Sequence, residues 1–256
     1  MRTNLIKTKK PVVASKPKVE AASDGKLDMV IAFDTTGSMS SYIGDVKKHV
    51  TELIPKLLDA NPDMRIGVVA FGDYCDMPEK GVFDSAYQVL PLTDNRHEII
   101  NFVKDARNTG GGDSDEFYEL VIKKITEETN WRKDATKSVL LIADANPHPV
   151  GYSYRSIVKE SQIDWEVEAR KSADQGIKWD TMQIRKLEWL VKLSEMTNGV
   201  SVPFSKSENT THLVEAASLA RGGERTRGAF YAARASFKDD VEMSAVYAKY
   251  EKEVVS

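Results

Sequence analysis

The sequence predicts an α/β fold: a doubly wound, mostly parallel six-stranded sheet with helices on both faces, followed by a helical C-terminal extension. Three observations point to it. Short apolar runs such as Met29–Phe33 and Val139–Ala143 read as strands buried on both faces. Segments of helical length, with apolar side chains at a spacing close to 3.6, separate them. Two of the runs end at an aspartate, at the carboxyl edge where sheets of this class place their working site.

Taken in order, Leu27–Phe33 is the first strand and runs into the polar loop Asp34-Thr35-Thr36-Gly37-Ser38. Ser38 or Ser40 is placed to cap a helix whose stripe is Ile43, Val46, Val50, Leu53, Ile54, Leu57 and Leu58. Asn61-Pro62-Asp63 is a turn before a second strand at Arg65–Phe71. Val89, Leu90 and Leu92 suggest a short strand. Asp94 then reads as the cap of a helix carrying Ile99, Ile100, Phe102 and Val103. Gly110-Gly111-Gly112 is a loop, and Asp113 or Ser114 starts a helix with Phe117, Leu120, Val121 and Ile125 on one face. Ser138–Ala143 is a strand ended by Asp144. A helix over Asp164–Gln175, a strand over Ile177–Ile184, a helix near Glu188–Thr197, a short strand at Val200–Pro203 and a helix near Asn209–Ala220 complete the alternation. The expected organisation is a basic, disordered tail over 1–25, one domain over 26–220, and a helical extension over 221–256.

Composition narrows the function classes. Hydrophobic residues are 41% and charged residues 29% of 256, ordinary for a chain that buries a core. No apolar run approaches the length of a membrane-spanning helix. The single cysteine, Cys75, excludes an internal disulfide and a Cys-rich zinc site, and reads as a loop or core residue. Residues 1–19 carry six cationic side chains and no acid, which leaves the rest of this net −3 chain at −9. An acidic body argues against nucleic acid as the main partner. The tail lacks the apolar core of a secretory signal, so the expected location is cytoplasmic; its two prolines disfavour an organellar transit helix.

Three polar clusters fall where the fold puts function: Asp34–Ser38, Thr109–Asp113 and Asp144. They offer carboxylates and hydroxyls, a donor set suited to a hard cation such as Mg²⁺, with Mn²⁺ or Ca²⁺ as alternatives. In an extended loop alternate residues share a side, so Asp34 and Thr36 can face one ion, while Gly37 lets the chain turn and Ser38 reaches in. His148, alone in a Pro-flanked loop, reads as a surface residue.

The Asp34-x-Thr36-x-Ser38 spacing resembles the metal-ion-dependent adhesion site (MIDAS) of von Willebrand factor type A (VWA) domains, whose signature is Asp-x-Ser/Thr-x-Ser. The likeness covers roughly residues 27–220 and includes Leu141-Ile142-Ala143-Asp144, similar to the family's third loop. It implies a doubly wound fold with a divalent cation at the top of the sheet. The expected ligands are Asp34, Thr36, Ser38 and Asp144, joined by a residue of the second loop. An acidic group of a protein partner often completes the shell in that family. The second loop departs from the family's usual threonine: Asp113 of Gly110-Gly111-Gly112-Asp113 is the best match and Thr109 the alternative. A Gly-Gly-Gly-Asp loop resembles a subset of these domains that includes those found with alpha-kinases. An added carboxylate there would offset more of the ion's charge, holding metal more firmly and attracting acidic partners less.

The resemblance implies a non-enzymatic, metal-dependent adaptor or scaffold. One rival is Mg²⁺-dependent phosphoryl transfer, but Thr36 stands where that chemistry wants a second aspartate, and Arg155 and Lys159 are weak phosphate partners. Another is a structural subunit of a phage, secretion or stress-response assembly docking through its C-terminal helix. Nucleotide binding is disfavoured, because the glycine loop lacks the Lys-Ser/Thr of a P-loop and carries Asp113.

Overall fold

The computed structural model describes residues 25–77, 86–203 and 209–254; the predicted basic tail lies almost wholly outside them. Strands β1 (Leu27–Asp34), β2 (Met64–Phe71), β3 (Tyr87–Thr93), β5 (Thr136–Ala143), β7 (Ile177–Gln183) and β8 (Ser201–Pro203) form a six-stranded sheet in the order β3-β2-β1-β5-β7-β8. All pairings are parallel except that of β3 with β2. A two-residue β4 (Asp115–Glu116) pairs with β6 (Asn146–Pro147) at one edge of the site.

β1 shows why the apolar run is a central strand. Leu27, Met29, Ile31 and Phe33 enter the core on one face, and Val30 and Ala32 enter the core on the other. The first face is covered by α1 (Ile43–Ala60), α2 (Arg96–Asp105) and α6 (Asn209–Arg221). The second is covered by α3 (Tyr118–Glu128), α4 (Trp165–Asp174) and α5 (Glu188–Met196). Strand order reverses between β1 and β5, and Phe33 pairs with Ile142. Asp34 and Asp144 therefore emerge side by side at the switch point. No helix among the described residues is long and apolar enough to cross a membrane.

Several local expectations are corrected. Ser38 and Ser40 do not cap α1; they lie in a 3₁₀ turn, Gly37–Ser41, and α1 starts after Tyr42 without a side-chain cap. Asn95, not Asp94, caps α2, accepting from the backbone N–H groups of His97 and Glu98. α3 starts at Tyr118, not at Asp113 or Ser114, because Asp115–Glu116 are drawn into the β4–β6 pair. The C-terminal part is two helices, α7 (Glu224–Ser236) and α8 (Val241–Val254). Phe230, Met243, Val246, Tyr247 and Tyr250 from these helices join the α1–α6 core. They pack on the outside of the helical layer that contains α6.

Candidate metal centre

The first loop leaves β1 with Asp34 fully buried. Its Oδ1 accepts from the Thr36 N–H and the Thr36 hydroxyl, each at 2.7 Å, and its Oδ2 accepts from the Tyr118 hydroxyl. Thr36 Oγ1 lies 3.3 Å from Ser38 Oγ, which donates to Asp144 Oδ1 at 3.0 Å. A continuous row of oxygens thus runs from Asp34 through Thr36 and Ser38 to Asp144. Asp144 Oδ2 is buried and, among the described residues, has no hydrogen-bond partner. The nearest cation is the Arg185 guanidinium at 4.0 Å, on a mostly exposed side chain.

Burial pushes the Asp34 carboxyl up to about 7; Asp144 adds to the rise, while the Tyr118 and Thr36 hydrogen bonds oppose it. Buried carboxylates this close are held at a cost that a divalent cation would remove. The all-oxygen donor set fits a hard ion. It is the ligand type that the sequence suggested for Asp34, Thr36, Ser38 and Asp144, and the fold brings those four together.

The second loop is held against the first by backbone contacts. Thr109 N–H donates to the Thr35 carbonyl at 2.9 Å, and Gly37 N–H donates to the Gly110 carbonyl at 3.0 Å. Asp76 accepts from the N–H groups of Gly110 and Gly111. The Thr109 hydroxyl is taken up by the Thr35 hydroxyl at 3.0 Å. Asp113 is exposed and belongs to a separate group: its Oδ2 accepts from Tyr152 OH at 2.9 Å and its Oδ1 from Asp115 N–H at 3.1 Å.

Asp113, Asp73 and His148 each bring one ligand atom within 4.8 Å of the others, a second grouping that could hold an ion. His148, expected at the surface, is instead buried. Its Nε2 lies 2.6 Å from Asp73 Oδ1, its backbone N–H donates to Glu119 Oε2, and its ring stacks on Tyr152. Burial opposes the charged imidazole, but the Asp73 hydrogen bond and charge, with Glu119 and Asp113, raise its pKa above the ordinary histidine value. Cys75 beside this group is held protonated, its thiol pushed up to about 12 by burial and by Asp76 and Asp73.

Sequence reasoning missed two residues of the first group. Tyr118 lies in the predicted helix but outside its apolar stripe, and a tyrosine buried beside a loop carboxylate needs a partner for its hydroxyl. Glu116 follows the expected helix start at Asp113 or Ser114. It is 3% exposed, and burial, followed by the charges of Asp34 and Asp73, pushes its carboxyl up to about 9.

The doubly wound sheet points to the von Willebrand factor type A domain family. That family's sequence model matches residues 28–219, and the chain belongs to the family. Two curated relatives show how it recurs within larger proteins. One, the alpha-protein kinase vwkA of Dictyostelium discoideum, is 28% identical over 130 residues, 49% of this chain and 19% of the relative. The other, from Acanthamoeba polyphaga mimivirus and named as ariadne-like RING finger protein R811, is 26% identical over 122 residues, 48% of this chain and 11% of the relative. The chain thus spans under a fifth of the length of either.

Proposed function

We propose that this chain is a divalent-metal-dependent protein-interaction module. In this reading it binds Mg²⁺, or Mn²⁺ or Ca²⁺, at a MIDAS-type site of Asp34, Thr36, Ser38 and Asp144, and serves as a non-enzymatic, cytoplasmic adaptor. It falls in the Gly-Gly-Gly-Asp subset that resembles the domains found with alpha-kinases, and the similarity to vwkA is in keeping with that. An oxygen donor from the partner, an acidic side chain in the family's usual mode, completes the shell.

The observation that carries the reading is the buried Oδ2 of Asp144 at the end of the Asp34–Thr36–Ser38 row, which has no hydrogen-bond donor among the described residues and only the mostly exposed Arg185 side chain 4.0 Å away. A carboxylate oxygen left without a donor in the interior is unfavourable unless a cation meets it. Thermal melting in EDTA and then with added metal tests the reading. Metal at a hundredfold its Kd is expected to stabilise the wild type by about 2.7 kcal/mol and to leave Asp34→Ala unchanged. Equal melting of wild type with and without metal would overturn it. Chelator is expected to release the protein partner in a pull-down, and a generic phosphate ester is expected to survive incubation with the loaded protein.

A further inference from the structure

We infer that Glu116 supplies the second-loop ligand of this cation, in the shell position for which Asp113 and Thr109 are the sequence candidates. The inference rests on the metal-dependent reading above and adds one ligand to it. Glu116 Oε2 is buried and has no hydrogen-bond partner among the described residues. Glu116 Oε1 and Thr36 Cβ both crowd the side of Gly111, so the Glu116 carboxyl lies beside Thr36, whose hydroxyl is 3.3 Å from the Ser38 hydroxyl that donates to Asp144 Oδ1.

The backbone explains how Glu116 arrives there. Gly111 turns at φ +73°, and a Cβ on it would lie 2.9 Å from Glu116 Oε1 and 3.3 Å from Thr36 Cβ. Only glycine lets the loop pass beneath the carboxylate while keeping it against Thr36. The β4–β6 pair then fixes the Glu116 backbone against Pro147, beyond the Asp144 turn. The two sequence candidates have other uses: Thr109 bonds Thr35, and both oxygens of Asp113 accept hydrogen bonds outside the row. With Asp34, Glu116 and Asp144 as carboxylates, the charge of a divalent ion is more than offset, so its pull on an acidic partner group is weakened.

Calorimetric titration of the full chain with Mn²⁺ tests this in the wild type, Glu116→Gln, Asp113→Asn and Asp34→Ala. Glu116→Gln is expected to weaken the Mn²⁺ binding that depends on Asp34 by about tenfold or more, or 1.4 kcal/mol, with Asp113→Asn leaving that binding within about twofold of wild type. Tenfold weakening in Asp113→Asn with none in Glu116→Gln would overturn the assignment. Loss of binding in Asp34→Ala alone would overturn it too, while leaving the metal-dependent reading intact. Absence of binding in the wild type would instead sink that reading. Melting in EDTA provides the second measurement. Glutamine keeps the shape and cannot carry a charge that burial disfavours, so Glu116→Gln is expected to melt no lower than wild type. A lower melting point would mark Glu116 as a structural group and count against the ligand role.

Discussion

Gly111 shows how much of the site hangs on single residues. Its positive φ and the close approach of Glu116 mean that Gly111→Ala is strained twice, in its backbone and against the carboxylate. We expect a loss of about 1–3 kcal/mol in urea unfolding, together with a smaller metal-induced rise in melting temperature. Unchanged metal response would show that the carboxylate can move aside freely. Glu116→Thr restores the hydroxyl usual in the family and removes one negative charge. The loaded variant is expected to bind an acidic peptide more tightly than wild type, and equal affinity would argue against charge control of partner choice. At this scale the sequence was legible where spacing is local: Asp34, Thr36 and Ser38 lie within five residues, and Asp144 follows an apolar strand. Glu116 was not legible, because its place depends on the handedness of one glycine and on a two-residue pairing with Asn146–Pro147. Nor was the burial of His148, whose partner Asp73 is 75 residues away.

Among the elements, strands were easier to read than helix ends. An apolar run such as Val139–Ala143 announces burial on both faces whatever its neighbours are. A helix start is decided by competition for side chains, and Ser38 is drawn to Asp144 instead of capping α1. A buried charge at the far end of β1 links three elements. Asp28 accepts from Arg65 of β2 at 2.9 and 2.7 Å, and from the N–H and side chain of Arg132 in the loop before β5. Burial works against this carboxylate, yet the two arginines hold its pKa below 3.8. A depressed folded value means that its contribution is whole above about 3.8 and is lost as pH falls through the lower value. Asp28→Ala is expected to cost about 3 kcal/mol at pH 7, since two partly buried arginines lose their partner. Urea unfolding of both proteins at pH 7 and pH 3 checks this; a gap as wide at pH 3 would refute the electrostatic origin.

The whole molecule extends past the family match, which ends at residue 219. Arg221, the last residue of α6, is buried between Asp180 of β7 and Glu253 of α8, and its guanidinium also donates to Ser138 of β5. Asp180 in turn accepts from the Val200 N–H at 2.9 Å. Ending the chain after Asp240 would strip Glu253 from this knot and expose Phe230 and the α1–α6 core. We expect such a protein to lose its cooperative melting transition. A sharp transition near the wild-type temperature would show that α8 is dispensable. The sequence revealed that this region is helical but not how it packs, because α7 and α8 have weak amphipathic patterns and α7 buries only Thr226 and Phe230.

Leu27 opens β1, and Glu253 is paired with Lys178 near the start of β7. Both ends of the described chain therefore lie at one pole of the sheet, while the row of oxygens from Asp34 to Asp144 lies at the other. A segment joined directly to the first or last described residue starts at the pole opposite the candidate site, like a plug held by its cord. A bulky fusion at either end is accordingly expected to leave the metal-induced stabilisation untouched.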